Sequence, residues 1–148
     1  MVRHDINAET GAAAIILVRL AVGAVFFSEG IQKFLFPQEL GVGRFTTIGI
    51  PAPHLMAPFV GVVEIGCAVL LLLGLFTRLA AVPLLVDMMV AIATTKIPIL
   101  LKSGVWSMAH EARTDWAMFL GSLFLLLAGP GQWSFDAWRD RAHGTRHG

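Results

Sequence analysis

Residues 58–101 read PFVGVVEIGCAVLLLLGLFTRLAAVPLLVDMMVAIATTKIPILL. Two apolar stretches, 58–76 and 79–101, are separated only by Thr77-Arg78. Each is close to the roughly 20 residues that an α-helix needs to cross the hydrocarbon layer of a bilayer. Neither shows the strict apolar–polar alternation of a barrel strand. Lipid offers backbone groups no hydrogen-bond partners, which leaves helices as the spanning form that fits. The pair therefore predicts a tight hairpin of membrane-crossing helices.

Two more spans flank the hairpin. Residues 12–36 form an apolar run after a polar tail in which Asn7, Glu9 and Thr10 are candidate helix-start residues. Beyond the hairpin, the apolar stretch 116–129 stops at Gly129-Pro130-Gly131, and Ser103 as an N-cap extends its helix to 105–129. The chain thus reads as a single all-α membrane domain over 1–148. Its four-helix transmembrane bundle has spans at 12–36, 58–76, 79–101 and 105–129, and a polar C-terminal tail at 137–148. The first run is too long for a signal-peptide core, and Glu29 and Lys33 follow where a cleavage site would sit, so it is read as retained.

Composition agrees. The chain is 56% hydrophobic and 14% charged, with a mean hydropathy of +0.73, whereas soluble domains run at about 45–50% apolar and about 25% charged. A formal net charge of +1 provides no basic field for nucleic acid. The single cysteine, Cys67, excludes an intramolecular disulfide and C-x-x-C chemistry. It reads as a small packed hydrophobe.

Charge also gives an orientation. Arg3, Arg78, Arg139, Arg141 and Arg146 fall on one side of the four spans, against Arg44, Lys102 and Arg113 on the other. The bias places both termini in the cytoplasm of a plasma membrane. Trp106 and Trp116 then mark the outer interface, and Trp133 and Trp138 the inner one. The outer loop 37–57, with an amphipathic piece at 40–48, is expected to fold into the outer mouth of the bundle.

Seven ionisable residues lie in or at the edge of the spans: Arg19, Glu29, Lys33, Glu64, Asp87, Lys96 and Asp115. Each costs about 2.5–3.5 kcal/mol at a helix centre on the insertion scale. Such residues therefore face the interior, pair with one another and mark function. At about 100° per residue, Arg19, Glu29 and Lys33 share one face of the first helix with Gly23, Phe26 and Gly30, which suits close packing. Counting residues along the helices puts Arg19 and Asp87 in one inner layer, predicting a structural ion pair between helices one and three. The outer half collects Glu29, Lys33, Glu64, Lys96, His110, Glu111, Arg113 and Asp115, the candidate lining of a polar chamber. For Lys33 and Lys96 a second reading stands, in which they snorkel to the headgroups. His110-Glu111 begins an H-E-x-x-H pattern, but Thr114 replaces the second histidine, so no metal site is expected. His143 and His147 read as solvated tail residues.

Several stretches together carry a family resemblance. They are LAVGAVFFSEGIQK at 20–33, GIPAP at 49–53, EIGCAVLLLLGLFTRLAA at 64–81, VAIATTKIP at 90–98, HEARTDWAM at 110–118 and GPGQWSFD at 129–136. As a set they resemble the DoxX family of small bacterial membrane proteins, over roughly residues 15–136. The resemblance implies a four-helix bundle in the bacterial inner membrane. Some members are subunits of a thiosulfate:quinone oxidoreductase, and others associate with redox or detoxification proteins. No flavin, haem or nucleotide fingerprint is present, so an electron carrier would come from a partner protein.

The functional expectation is a redox-linked subunit that binds a quinone or small molecule in the outer polar chamber, where carboxylates and lysines hydrogen-bond the ligand and move its protons. The alternatives are a non-catalytic ligand-binding or transport module, which four helices would supply as a homo-oligomer, and a membrane scaffold for partner proteins.

Overall fold

In the computed structural model, the described residues comprise the backbone of 2–144 and the side chains of 11–139 and 141; they contain helices and no strand. The side chains of Arg3, Asn7, Glu9, Thr10, His143, Arg146 and His147 lie outside them. Helix α1 runs Val2–Leu35, straight through Asn7, Glu9 and Thr10 instead of starting at them. A short α2, Val42–Thr47, lies in the loop that follows. Helix α3 spans Pro53–Leu73. It begins earlier than the apolar run because Pro53 stands in the first turn, where its missing N–H costs nothing, and Pro58 is carried inside the helix.

Gly74 ends α3 with φ +70°, a left-handed conformation that glycine adopts freely. Gly74 N–H donates to Leu71 O and Leu75 N–H to Leu70 O, the two bonds of a Schellman motif. Two residues later Thr77 opens α4, Thr77–Ala91, completing the hairpin. A π-helical turn, Ile92–Lys96, continues α4 into α5, Ile97–Glu111. The hydroxyls of Thr94 and Thr95 occupy carbonyls of this stretch, bonding Val90 O at 2.8 Å and Ala91 O at 2.6 Å.

Three helical stretches are long and apolar enough to cross a membrane: Gly11–Leu35, Pro53–Leu73 and Thr77–Glu111. The last is broken at Gly104, whose φ of 82° and ψ of 177° are not helical. There the chain doubles back, since Lys96 is ion-paired with Asp115 and α4 packs along α6, Arg113–Ala128. Alone, α6 has 16 residues, short of the roughly 20 a span requires. Residues 105–111 run into it, with Ala112 N–H bonded to Met108 O and Trp116 N–H to Ala112 O. The two pieces make one slightly interrupted fourth helix. The tail is not extended: α7, Phe135–Gly144, is helical.

Small residues set the helix contacts. A Cβ on Gly23 would come within 2.8 Å of Leu72 Cγ, and one on Gly30 within 2.8 Å of Gly61 O, so α1 and α3 touch backbone to backbone. The packed core comprises Val22, Phe26, Ala68, Leu71, Ala80, Ala81, Leu84, Met118 and Leu125. Most of these lie toward the α3–α4 turn. That half of the bundle is filled, and the half nearer α2 is not.

Candidate functional site

Arg19 and Asp87 do not pair, contrary to the expectation from residue counting. The buried Arg19 guanidinium donates to Leu71 O at 2.9 Å, Leu72 O at 3.0 Å, Pro130 O at 3.0 Å and Trp133 O at 3.0 Å. These carbonyls belong to the last turn of α3 and to the segment after α6. A cation suits the end of α3, where carbonyls lack intrahelical donors and the helix dipole is negative. Asp87 stands ten residues into α4, about 15 Å above the turn where Arg19 is engaged. Counting along the axis ignored the length of the arginine side chain and the pull of those carbonyls.

Asp87 belongs to a different cluster. Glu64, nine residues from the end of α3, sits at nearly the same height, and the two carboxyl groups meet beside Lys33. Lys33 Nζ lies 2.7 Å from Glu64 Oε2 as an ionic contact and donates a hydrogen bond to Oε1 at 2.9 Å. The side chains are 11% and 2% exposed, so Lys33 reaches inward and does not snorkel. Between the π turn and α6, Lys96 Nζ is 3.1 Å from Asp115 Oδ2. The π turn presents Lys96 to that partner, in keeping with the frequent use of such turns at functional positions.

Both pairs open onto one cavity of about 710 Å³ in the half nearer α2. Ligand sites are commonly about 300–1,000 Å³. Its wall is mostly apolar, with Phe26, Phe45, Ile48, Val63 and Met118 among the contributors. Among the described residues, the wall also holds five carboxyl groups (Glu29, Glu64, Asp87, Glu111 and Asp115) and three cationic side chains (Lys33, Arg44 and Lys96). Glu29 and Glu111 are exposed and form the rim. Leu40, Arg44, Phe45, Ile48 and Ile50 bring the α1–α3 loop over this end.

Of the eight residues assigned to a chamber, six line the cavity and two do not. His110 and Arg113 turn outward and meet each other, with Arg113 Nη1 2.7 Å from His110 Nε2. Glu111, Thr114, Asp115 and Met118 occupy the inward face at i, i+3, i+4 and i+7, which leaves His110 and Arg113 beside it. Arg44 and the hydroxyl-bearing Thr94 and Thr95 were not among the candidates. Arg44 carried a signal, as the one charge within the amphipathic piece 40–48.

The fold is that of a small polytopic membrane bundle with a largely apolar cavity that carries charged groups in its wall. The DoxX family pattern matches residues 14–97, more than half of the chain, and the chain belongs to that family. It is 56% identical over 132 residues to the "Uncharacterized membrane protein Rv3486" of Mycobacterium tuberculosis, covering 85% of this chain and 81% of that one. It is 30% identical over 114 residues to the "Putative oxidoreductase CatD" of Bacillus subtilis, covering 77% and 78%. No solved structure matches the chain.

Proposed function

We propose that this DoxX-family protein is a redox-linked membrane subunit that binds a quinone or similar small molecule in the cavity between its helices. The observation that carries the reading is the cluster of Lys33 and Asp87 around the buried Glu64 at one end of a largely apolar cavity. A quinone head needs a hydrogen-bond donor at its carbonyl oxygens, which lysine supplies, and apolar walls for its ring. Reduction to the quinol takes two electrons and two protons. The carboxyl groups are placed to pass protons, and the electrons come from a partner oxidoreductase, since no carrier motif is present in the chain. The similarity to a relative named as an oxidoreductase agrees with this assignment.

In this reading the protein lies in the bacterial plasma membrane with both termini cytoplasmic and the cavity toward the outer face. The surplus of carboxyl groups in the wall favours one second reading, a non-catalytic module for an amphipathic cation. Titration of nanodisc-embedded protein with a naphthoquinone, followed by tryptophan fluorescence, decides between them. Saturable quenching by the quinone, lost in Glu64→Gln with the fold intact, is expected. Saturable binding of a quaternary-ammonium amphiphile without any response to quinone would establish the second reading instead.

A further inference from the structure

The cavity reaches the bundle surface beside α3 and α4. Helices α3 and α4 are joined at the Gly74 turn, α1 packs on α3, and α6 packs on α4. Three apolar residues line the cavity and are also exposed on the bundle surface: Phe59 on α3 at 57%, and Val86 and Val90 on α4 at 48% and 44%. Measured from the turn, Val86 stands about 14 Å up its helix, Val90 about 20 Å and Phe59 about 21 Å. A hydrocarbon layer is about 30 Å thick. This opening therefore faces acyl chains and not water.

Polarity runs along the same line. The mouth is Phe59, Val86 and Val90, the middle is Val60, Val63 and Pro83, and the buried end is Glu64 with Asp87 and Lys33. We infer that the cleft between α3 and α4 is a lateral portal from the bilayer, and that the ligand is a membrane-dissolved molecule whose polar head meets Lys33 and Glu64 while its apolar tail rests between Phe59, Val86 and Val90. The inference rests on the proposed binding function and adds its route and its substrate class. A water-soluble ligand would have no use for an apolar mouth at this depth.

The test uses two probes on protein in nanodiscs: 2-methyl-1,4-naphthoquinone without a tail, and the same ring with an isoprenoid tail. Val86→Trp and Val90→Trp fill the mouth at positions already facing lipid, so the fold tolerates them. The tailed probe is expected to lose about tenfold in affinity in these variants, what the lost burial of about two methylene groups amounts to, and the tail-less probe to lose distinctly less. Equal binding of both probes, unaffected by either variant, would overturn the portal and leave the cavity as a quinone site. Failure of both probes on the wild-type protein would remove the quinone reading together with the portal. A spin label at Val86, in a Cys67→Ala background, gives a second measurement. It should be relaxed by oxygen and not by a polar nickel complex, and should lose mobility when the tailed probe is added. Relaxation by nickel, or a label already immobile and unchanged by the probe because a phospholipid chain fills the cleft, would count against the inference.

Discussion

Lys33 holds α1 to α3 through Glu64, with Nζ 2.7 Å from Oε2 and 2.9 Å from Oε1 in a setting almost closed to solvent. Breaking such a pair from one side leaves an uncompensated buried charge. Lys33→Met is therefore expected to cost about 3–5 kcal/mol, and the double variant Lys33→Met with Glu64→Leu distinctly less. Thermal unfolding of the two single variants and the double gives the coupling. Additive losses would show that the pair is not a unit.

Arg19 should prove more sensitive, and insensitive to Asp87. Its guanidinium satisfies four backbone carbonyls in two separate segments. Charged hydrogen bonds are each worth about 1.5–3 kcal/mol, not additively, so Arg19→Met is expected to cost at least about 3 kcal/mol. Lysine cannot reproduce the planar fork, and Arg19→Lys should recover only part of the loss. Rescue of Arg19→Met by Asp87→Leu in a thermal melt would restore the ion pair that the geometry has replaced.

Gly74→Ala probes the same place from the turn. A Cβ there would stand 2.6 Å from Arg19 Nη2 and 2.6 Å from Ser134 Cβ, on a backbone with φ +70°. Left-handed strain for a residue with a side chain is about 1–2 kcal/mol before any clash is counted. The expected result is a lowered melting temperature together with loss of the α3–α4 turn's protection from hydrogen exchange. A stability equal to wild type would mean the Arg19 clamp is looser than described.

Cys67 is half-buried and touches the packed core. Cys67→Ala should cost about 1 kcal/mol or less, with activity unchanged, which frees the chain for topology mapping. Cysteine placed at the exposed Thr47 on α2 should react with an impermeant reagent from the periplasm. Cysteine at Thr145, outside the described residues, should not. Equal labelling at both positions would reverse the orientation assigned from arginine counts.

The long apolar runs made the bundle legible, because a hydropathy signal of this length has one physical outcome in lipid. What they could not show was where each helix stops being regular. The π turn before Lys96 leaves no mark in the apolar pattern, since Ile92-Ala93-Thr94-Thr95 serves an α-helix as well. Ser103 was the signal used for the start of the fourth helix, and the break falls beside it at Gly104, whose φ of 82° separates the third helix from the fourth. The site was partly legible for a related reason. Glu64 and Lys96 are buried and Lys33 and Asp115 partly so, and charges in such places require partners, of which the sequence contains few candidates. Arg19 was paired with Asp87 by height, because axial counting gives the height of a Cα and not the reach of an arginine. His110 and Arg113 were grouped with Asp115 by height alone, and the facing of their helix separates them.

The Arg19 clamp also orders the making of the molecule. During synthesis Arg19 enters the bilayer with the first helix, while Leu71, Leu72, Pro130 and Trp133 have yet to leave the ribosome. Until they arrive its donors have no protein acceptor, at an insertion cost of about 2.5–3.5 kcal/mol for an arginine mid-span. The first helix is therefore expected to settle fully only once Pro130 and Trp133 have followed the last helix into place. A chain truncated before Pro130 would leave Arg19 with the carbonyls of Leu71 and Leu72 and without those of Pro130 and Trp133.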